Sequence, residues 1–301
     1  MKRPREKLSG VFAPVVTPFQ DDELALDGLR ENLRKLAQSE LTGYFALGSN
    51  GEFRSLTERE ELRVLEIFLE EKSEKVVMVG TGCESTRLTV EKTRRAAEMG
   101  FPFASIITPS YFARQTTDEC LTDHYLRIAE SSPIPILLYN APGFAGGVTL
   151  SLQCVSRLAT HENIVGIKDS SSAGPGNLLA QLDPSLDFCV LAGSADFFYP
   201  SLMLGAVGGI LSSANYLPDL SSRLFGLFLQ GSYGEALELH SRLVRINRAV
   251  SGTFGVSGVK AAMDLLGFHG LEPRHPLRRL SDTEREEIRK RLQNEGIAVE
   301  P

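Results

Sequence analysis

Cysteine is sparse in this chain. The four present among 301 residues, Cys83, Cys120, Cys154 and Cys189, are scattered with no CxxC spacing. That pattern argues against a zinc cluster and against a disulfide-stapled scaffold, and it fits a reducing compartment. Long hydrophobic runs are missing too. The longest, Leu202 to Leu211, is interrupted by glycines and is too short to span a bilayer. The basic lead from Met1 to Lys7 is followed by no long apolar segment and no small-residue cleavage site, so the expected location is cytoplasmic. There is no excess of positive charge. Lys and Arg number 32 against 38 Asp and Glu, a net charge of −6, which gives no footprint for nucleic acid or an anionic membrane. No GxGxxG follows the first strand-like segment, which weakens a dinucleotide-binding reading.

What is there is alternation. Short, nearly continuous apolar runs begin at Gly10, Gly43, Val76, Phe103, Pro135, Asn163, Phe188 and Gly208, and each is followed by a segment of helical periodicity. Runs of this kind are expected of strands buried on both faces of a parallel sheet. Thr57 with Glu60, Thr116 with Glu119, and Ser281 with Glu284 have the spacing that caps a helix N-terminus. Gly100 closes the helix predicted from Thr86 to Met99. Eight strand-then-helix units at this length favour an α/β fold closed as a (β/α)8 TIM barrel over an open sheet. From Gly234 onward the pattern is purely helical, and no low-complexity linker precedes it. The expected division is a catalytic barrel over residues 1–230 and a C-terminal helical extension over 231–301, packed on the barrel.

One run stands out. Asn163-Ile164-Val165-Gly166-Ile167-Lys168 leads an apolar strand straight into an amine, and Asp169-Ser170-Ser171-Ser172 follows. Burying an unpaired ammonium is expensive. An apolar setting favours the neutral amine, the form that attacks a carbonyl. Alone, the pattern reads equally as a strand-end lysine that snorkels to the surface. In a (β/α)8 barrel, however, functional groups gather at the C-terminal strand ends. The other ends offer Thr17, Ser49 and Asn50, Tyr111, Tyr139, Gly193 and Ser194, and Ser212 and Ser213. A lysine can form a Schiff base with a ketone, and a tyrosine can relay its protons. The Gly48-Ser49-Asn50-Gly51 loop offers donors suited to a neighbouring carboxylate. Each has a plainer reading: Gly48 to Gly51 as a tight turn, Tyr139 as a core tyrosine, Tyr111 as a surface or interface aromatic, and the serines as turn residues. No His or carboxylate set at ligand spacing lies at these ends, so neither a metal nor another cofactor is expected.

Taken in order, Ala13-Pro14-Val15-Val16-Thr17-Pro18-Phe19, Gly48-Ser49-Asn50-Gly51-Glu52, Tyr139-Asn140-Ala141-Pro142 and Gly166-Ile167-Lys168-Asp169-Ser170 carry a resemblance over nearly the whole chain. The sequence resembles the dihydrodipicolinate synthase / N-acetylneuraminate lyase family of class I, pyruvate-dependent aldolases. The resemblance implies Lys168 as the Schiff-base lysine and Tyr139 as the proton relay. Ser49 stands for a relaying hydroxyl, and Ser49 and Asn50 for the carboxylate-binding loop. It adds Ser170, Gly193 and Ile210 to the substrate-binding set. It also implies Tyr111 as a tyrosine inserted into a neighbouring subunit's site, hence a homodimer or homotetramer. Dihydrodipicolinate synthases carry an arginine where this sequence has Phe144, and a phenyl ring cannot supply its bidentate donor. The segments Gly82-Cys83-Glu84-Ser85-Thr86 and Phe254-Gly255-Val256-Ser257-Gly258-Val259-Lys260 look more like 4-hydroxy-2-oxoglutarate aldolase. The expectation is cleavage or formation of a 4-hydroxy-2-oxo acid, giving pyruvate and an aldehyde. The alternatives are the synthase, a deoxy-sugar-acid aldolase or dehydratase, and a non-catalytic pyruvate-binding or scaffold protein.

Overall fold

The structure, a computed structural model, describes residues 3–299. Its strands in chain order are β1 (Gly10–Pro14), β2 (Phe19–Gln20), β3 (Glu23–Leu24), β4 (Gly43–Ala46), β5 (Val76–Gly80), β6 (Phe103–Ile107), β7 (Ile136–Asn140), β8 (Ile164–Asp169), β9 (Cys189–Ala192) and β10 (Gly208–Ile210). All but β2 and β3 close into one barrel in the order β1-β10-β9-β8-β7-β6-β5-β4. The pairings are parallel, as in β1 with β4 and β7 with β8. Helices follow the strands, and three more, Tyr233–Asn247, Thr253–Leu265 and Asp282–Asn294, end the chain. This is the expected (β/α)8 TIM barrel with C-terminal helices. Every residue of β1, β4, β6, β7, β8, β9 and β10 is buried, which is why these strands read as unbroken apolar runs. Among the described residues no helix is long and apolar enough to cross a membrane.

The chain divides into two compact units. One is built on Val76–Ile210 with the segment up to Gly10, and the other on Val11–Lys75 and the chain from Leu211 onward. In the second unit the C-terminal helices share a core with the chain just after β1. Val16 and Tyr216 pack with Ile246, Val250, Val259, Met263, Ile288 and Leu292.

Several local expectations shift. The helix Asp118–Ser131 is capped by Thr117, whose hydroxyl accepts from the Cys120 amide. The neighbouring Thr116 hydroxyl is already engaged with the Phe112 carbonyl. The acidic turn after Phe19 is the tip of the β2–β3 hairpin, with Asp21 and Asp22 both at positive φ. Pro4–Leu8, read as a polar lead, is a short helix with proline in its first turn, while Met1 and Lys2 lie outside the described residues. The capping boxes of Thr57 with Glu60 and Ser281 with Glu284 are both present.

His124, on the helix Asp118–Ser131, is buried with its Nδ1 bonded to the Thr86 hydroxyl at 2.9 Å. Its Nε2 has no partner. Burial pulls its pKa down to about 4, against carboxylates that pull the other way. Below the ordinary histidine pKa the unfolded chain therefore binds a proton that the folded chain refuses, and stability is lost as pH falls from about 6.5 to about 4. The full loss is roughly 3 kcal/mol. The urea midpoint is expected to drop between pH 7 and pH 5 and to drop less in His124→Phe. Equal slopes in the two proteins would refute this.

Candidate active site

Lys168 and Tyr139 are brought together by register. They are direct partners across the parallel pair β7–β8, and Lys168 also faces Leu191 on β9. The Lys168 side chain is 4% exposed, and its Nζ stands 4.1 Å from the centre of the Tyr139 ring. A cation so placed meets the negative face of the phenol, and the arrangement sets an amine beside a phenol, groups whose chemistry includes nucleophilic attack and proton transfer. Strand β8 runs one residue past the lysine to Asp169. Asp169 is an organiser of the strand end. Its Oδ1 accepts from the Asn140 amide at 3.1 Å and from the Ser171 backbone N–H at 2.8 Å. The Asn140 side-chain Oδ1 accepts in turn from the Thr149 hydroxyl and the Leu150 N–H. This buried network ties the chain after Tyr139 to the chain after Lys168.

Gly193 lies beside the same strand end. Its N–H donates to the Asp169 carbonyl at 2.8 Å. A Cβ there would fall 1.9 Å from the Ser170 Oγ and 2.6 Å from the Asp169 oxygen, so only glycine fits. Ser170 is part-buried and its hydroxyl reaches toward the Gly193 carbonyl at 3.4 Å. Ser194 caps the turn that follows by accepting from the Asp196 N–H. Ile210, the last residue of β10, is fully buried.

Tyr111 sits on the loop after β6 and is 80% exposed, edge-on to Phe112 at 4.9 Å. The loop is pinned by Glu84, whose carboxylate accepts from the Ser110 N–H, the Ser110 hydroxyl and the Tyr111 N–H at 2.9 to 3.0 Å. Phe144, on the loop after β7, is 62% exposed. Cys83 is half-buried with its N–H held by the Thr89 hydroxyl.

In the second unit, β4 delivers the loop from Gly48 to Glu52. It is a tight turn: the Gly51 N–H donates to the Gly48 carbonyl and the Glu52 N–H to the Ser49 carbonyl. Leu47 and Glu52, its two flanks, both hold left-handed backbone, a conformation that persists only when surroundings enforce it. The Asn50 amide donates to the Ser212 hydroxyl at 3.0 Å, and the Thr17 hydroxyl grips the Gly51 carbonyl at 2.8 Å. Ser213 is fully buried against Ser221 and is part of the packing. The sequence reading missed Glu52. It is buried and paired with the buried Lys260, Oε1 to Nζ at 2.5 Å. The signal was available in Val259-Lys260-Ala261-Ala262-Met263, a lysine set in an apolar helix. Among the described residues no group of His, Cys, Asp and Glu could hold a metal ion.

Strand-end chemistry on a closed parallel barrel is the plan of a TIM-barrel enzyme. Comparison with known proteins narrows the class. Residues 7–295 match the Dihydrodipicolinate synthetase family, and the chain belongs to that family. It is 37% identical over 282 residues to a 4-hydroxy-tetrahydrodipicolinate synthase of Methanothrix thermoacetophila, covering 93% of this chain and 94% of that one. It is 32% identical over 283 residues, 90% of each chain, to a probable mitochondrial 4-hydroxy-2-oxoglutarate aldolase of Emericella nidulans. Its fold matches the E. coli prophage protein YagE, solved in complex with pyruvate, with a TM-score of 0.87 and 27% identity over 97% of this chain and 99% of that one. The protein is a carbon–carbon lyase of the aldolase type.

Asn140 joins three partners at the strand end, and its loss leaves the buried Asp169 Oδ1 and the Leu150 N–H short of a bond. Asn140→Leu is expected to cost about 1–3 kcal/mol of stability, read by urea denaturation. An unchanged midpoint would show that the network is slack.

Proposed function

We propose that the protein is a class I aldolase that holds pyruvate, or the pyruvate half of a larger 2-oxo acid, as a Schiff base on Lys168. The observation that carries this reading is the buried Lys168 Nζ set 4.1 Å from the ring of its register partner Tyr139. The neutral amine attacks the C2 ketone, and loss of water from the carbinolamine leaves a protonated imine. Removal of the proton from the 4-hydroxyl then breaks the C3–C4 bond. The aldehyde departs, and the electron pair flows through C3 into the iminium to give an enamine. Protonation at C3 and attack by water release pyruvate and regenerate the amine. Tyr139 carries the protons in this scheme, assisted by the Ser49 hydroxyl. The loop of Ser49 and Asn50 binds the carboxylate, and Ser170, Gly193 and Ile210 line the substrate. We place the enzyme in the cytoplasm, a reading supported by the four free cysteines.

The substrate we assign is a 4-hydroxy-2-oxo acid such as 4-hydroxy-2-oxoglutarate, with glyoxylate as the aldehyde. Phe144 supports it, because it removes the cation that would hold the carboxylate of aspartate semialdehyde. A second reading is the synthase that condenses pyruvate with aspartate semialdehyde, favoured by the similarity to the Methanothrix enzyme. We further assign a dimer as the working form, with Tyr111 reaching the partner's site. Two adjacent aromatic side chains, Tyr111 and Phe112, exposed at 80% and 64% on a pinned loop, support it.

Borohydride added with pyruvate is expected to leave a stable adduct on Lys168, read by mass spectrometry, and Lys168→Ala to lose it. Turnover should fall at least roughly a thousandfold in Lys168→Ala and ~100-fold or more in Tyr139→Phe. A wild-type protein without an adduct would end the Schiff-base reading. Given pyruvate with glyoxylate or aspartate semialdehyde in parallel, the enzyme should turn over the first pair faster. The reverse order would select the synthase.

A further inference from the structure

The loop assigned to the carboxylate is held from beneath by charge. Glu52 ends that loop and Lys260 lies on the C-terminal helix Thr253–Leu265. The side chains are 2% and 1% exposed, and their charged atoms stand 2.5 Å apart. The Lys260 ammonium also donates to the Thr17 carbonyl at 2.8 Å and to the Glu272 carbonyl at 2.6 Å. The second carboxylate oxygen of Glu52 accepts from the Arg274 backbone N–H at 2.9 Å. Phe19 packs under both cations, with Lys260 Nζ 4.6 Å and the Arg274 guanidinium 4.3 Å from its ring centre. Thr17 closes the circuit, because its hydroxyl donates to the Gly51 carbonyl while its own carbonyl accepts from the Lys260 ammonium. The helix side is equally crowded. A Cβ on Gly270 would lie 2.0 Å from the Lys260 carbonyl oxygen.

A buried ion pair of this kind is a poor device for stability, since desolvation consumes most of the attraction. Burial pulls the Lys260 pKa down to about 8 even with Glu52 beside it. Its value lies in geometry. Glu52 holds left-handed backbone at φ 52°, and the pair pins that residue at the point where the loop turns into the 3-10 segment Phe53–Ser55.

We propose that Glu52 and Lys260 are positioning residues, whose ion pair fixes the Ser49–Asn50 loop in the shape that receives the carboxylate of the 2-oxo acid. This rests on the Schiff-base reading above. Both side chains are buried away from solvent, so in this proposal both act on binding of the acid through the loop and leave the covalent step on Lys168 intact.

The test is the pyruvate concentration that half-saturates borohydride trapping on Lys168, measured beside kcat and the urea midpoint. Glu52→Gln and Lys260→Met each strand a buried charge, and each is expected to lower the midpoint. Each is also expected to raise the half-saturating pyruvate about tenfold, with kcat changed by less. The double variant removes both charges, so its midpoint is expected to recover while the weak pyruvate binding persists. Thr17→Val keeps the shape of the site and strands no charge. It is expected to raise half-saturation about threefold by releasing Gly51. Half-saturation that recovers with the midpoint in the double variant would overturn the proposal and leave a structural role. Unchanged values in every folded variant, Thr17→Val included, would do the same. An adduct that forms on the wild type with unaltered affinity in the variants overturns this inference alone. No adduct on the wild type removes the Schiff-base reading and this inference with it.

Discussion

An ammonium taken out of water must be neutralised, paired or saturated with acceptors. This protein takes two lysines out of water and treats them differently. Lys260 is given a carboxylate, two backbone carbonyls and the face of Phe19. Lys168 is set at the end of an apolar strand against the face of a phenol. The first arrangement satisfies a charge and fixes backbone around it. The second sets an amine against the ring of a tyrosine. Much of the surrounding architecture follows from keeping these amines in place. Strand register sets Tyr139 opposite Lys168, the Asn140–Asp169 network locks the two strand ends, and Gly193 lets the next strand approach where a side chain would collide.

The barrel was legible because its strands are buried on both faces. A strand with one wet face alternates, but β6, β7 and β8 have no wet face and so appear as nearly continuous apolar runs. Their boundaries were sharp because a polar or glycine-containing turn follows each. The helix caps were legible for a similar reason, since a hydroxyl three residues before a glutamate satisfies two orphan amides by local bonds alone. Where two threonines stand side by side, local chemistry does not choose. Thr117 caps its helix because Thr116 is taken by the turn that precedes it. The β2–β3 hairpin escaped notice because its strands have two residues each, too few to show a period.

The candidate site divides along the same line. Lys168 and Tyr139 stood out because each is a polar group closing an apolar strand, and their pairing follows from strand order in a barrel. Asp169, the last residue of β8, takes a structural role through its bonds to Asn140 and Ser171. The Glu52–Lys260 pair was written in segments that were noticed for other reasons. Its two members lie more than two hundred positions apart, and no local rule connects a loop glutamate to a lysine on a late helix. The clue was one-sided: Lys260 is flanked by Val259, Ala261, Ala262 and Met263, all buried, so a partner had to exist. The partner's identity depends on the fold, which brings Thr17, Glu52, Glu272 and Arg274 around one helix.

In the proposed reaction, substrate choice rests on different residues from the covalent step. Lys168 and Tyr139 would act on the ketone of the 2-oxo acid whatever lies beyond C4. The side chain that departs from the synthase pattern, Phe144, lies on the loop after β7 and is more than half exposed. A guanidinium there would bind an incoming carboxylate by two parallel bonds, whereas a phenyl ring offers only apolar contact. Glyoxylate also carries a carboxylate, so loss of one cation at this position need not exclude acidic aldehydes. It removes the fixed anchor suited to a longer one, whose carboxylate lies farther from the reacting carbon. A compact aldehyde can be held through its carbonyl and by contacts near the bond that forms. In the proposed reading, the loop chemistry that disfavours aspartate semialdehyde therefore leaves glyoxylate and small apolar aldehydes as partners, and Phe144 acts on them by apolar contact rather than by charge.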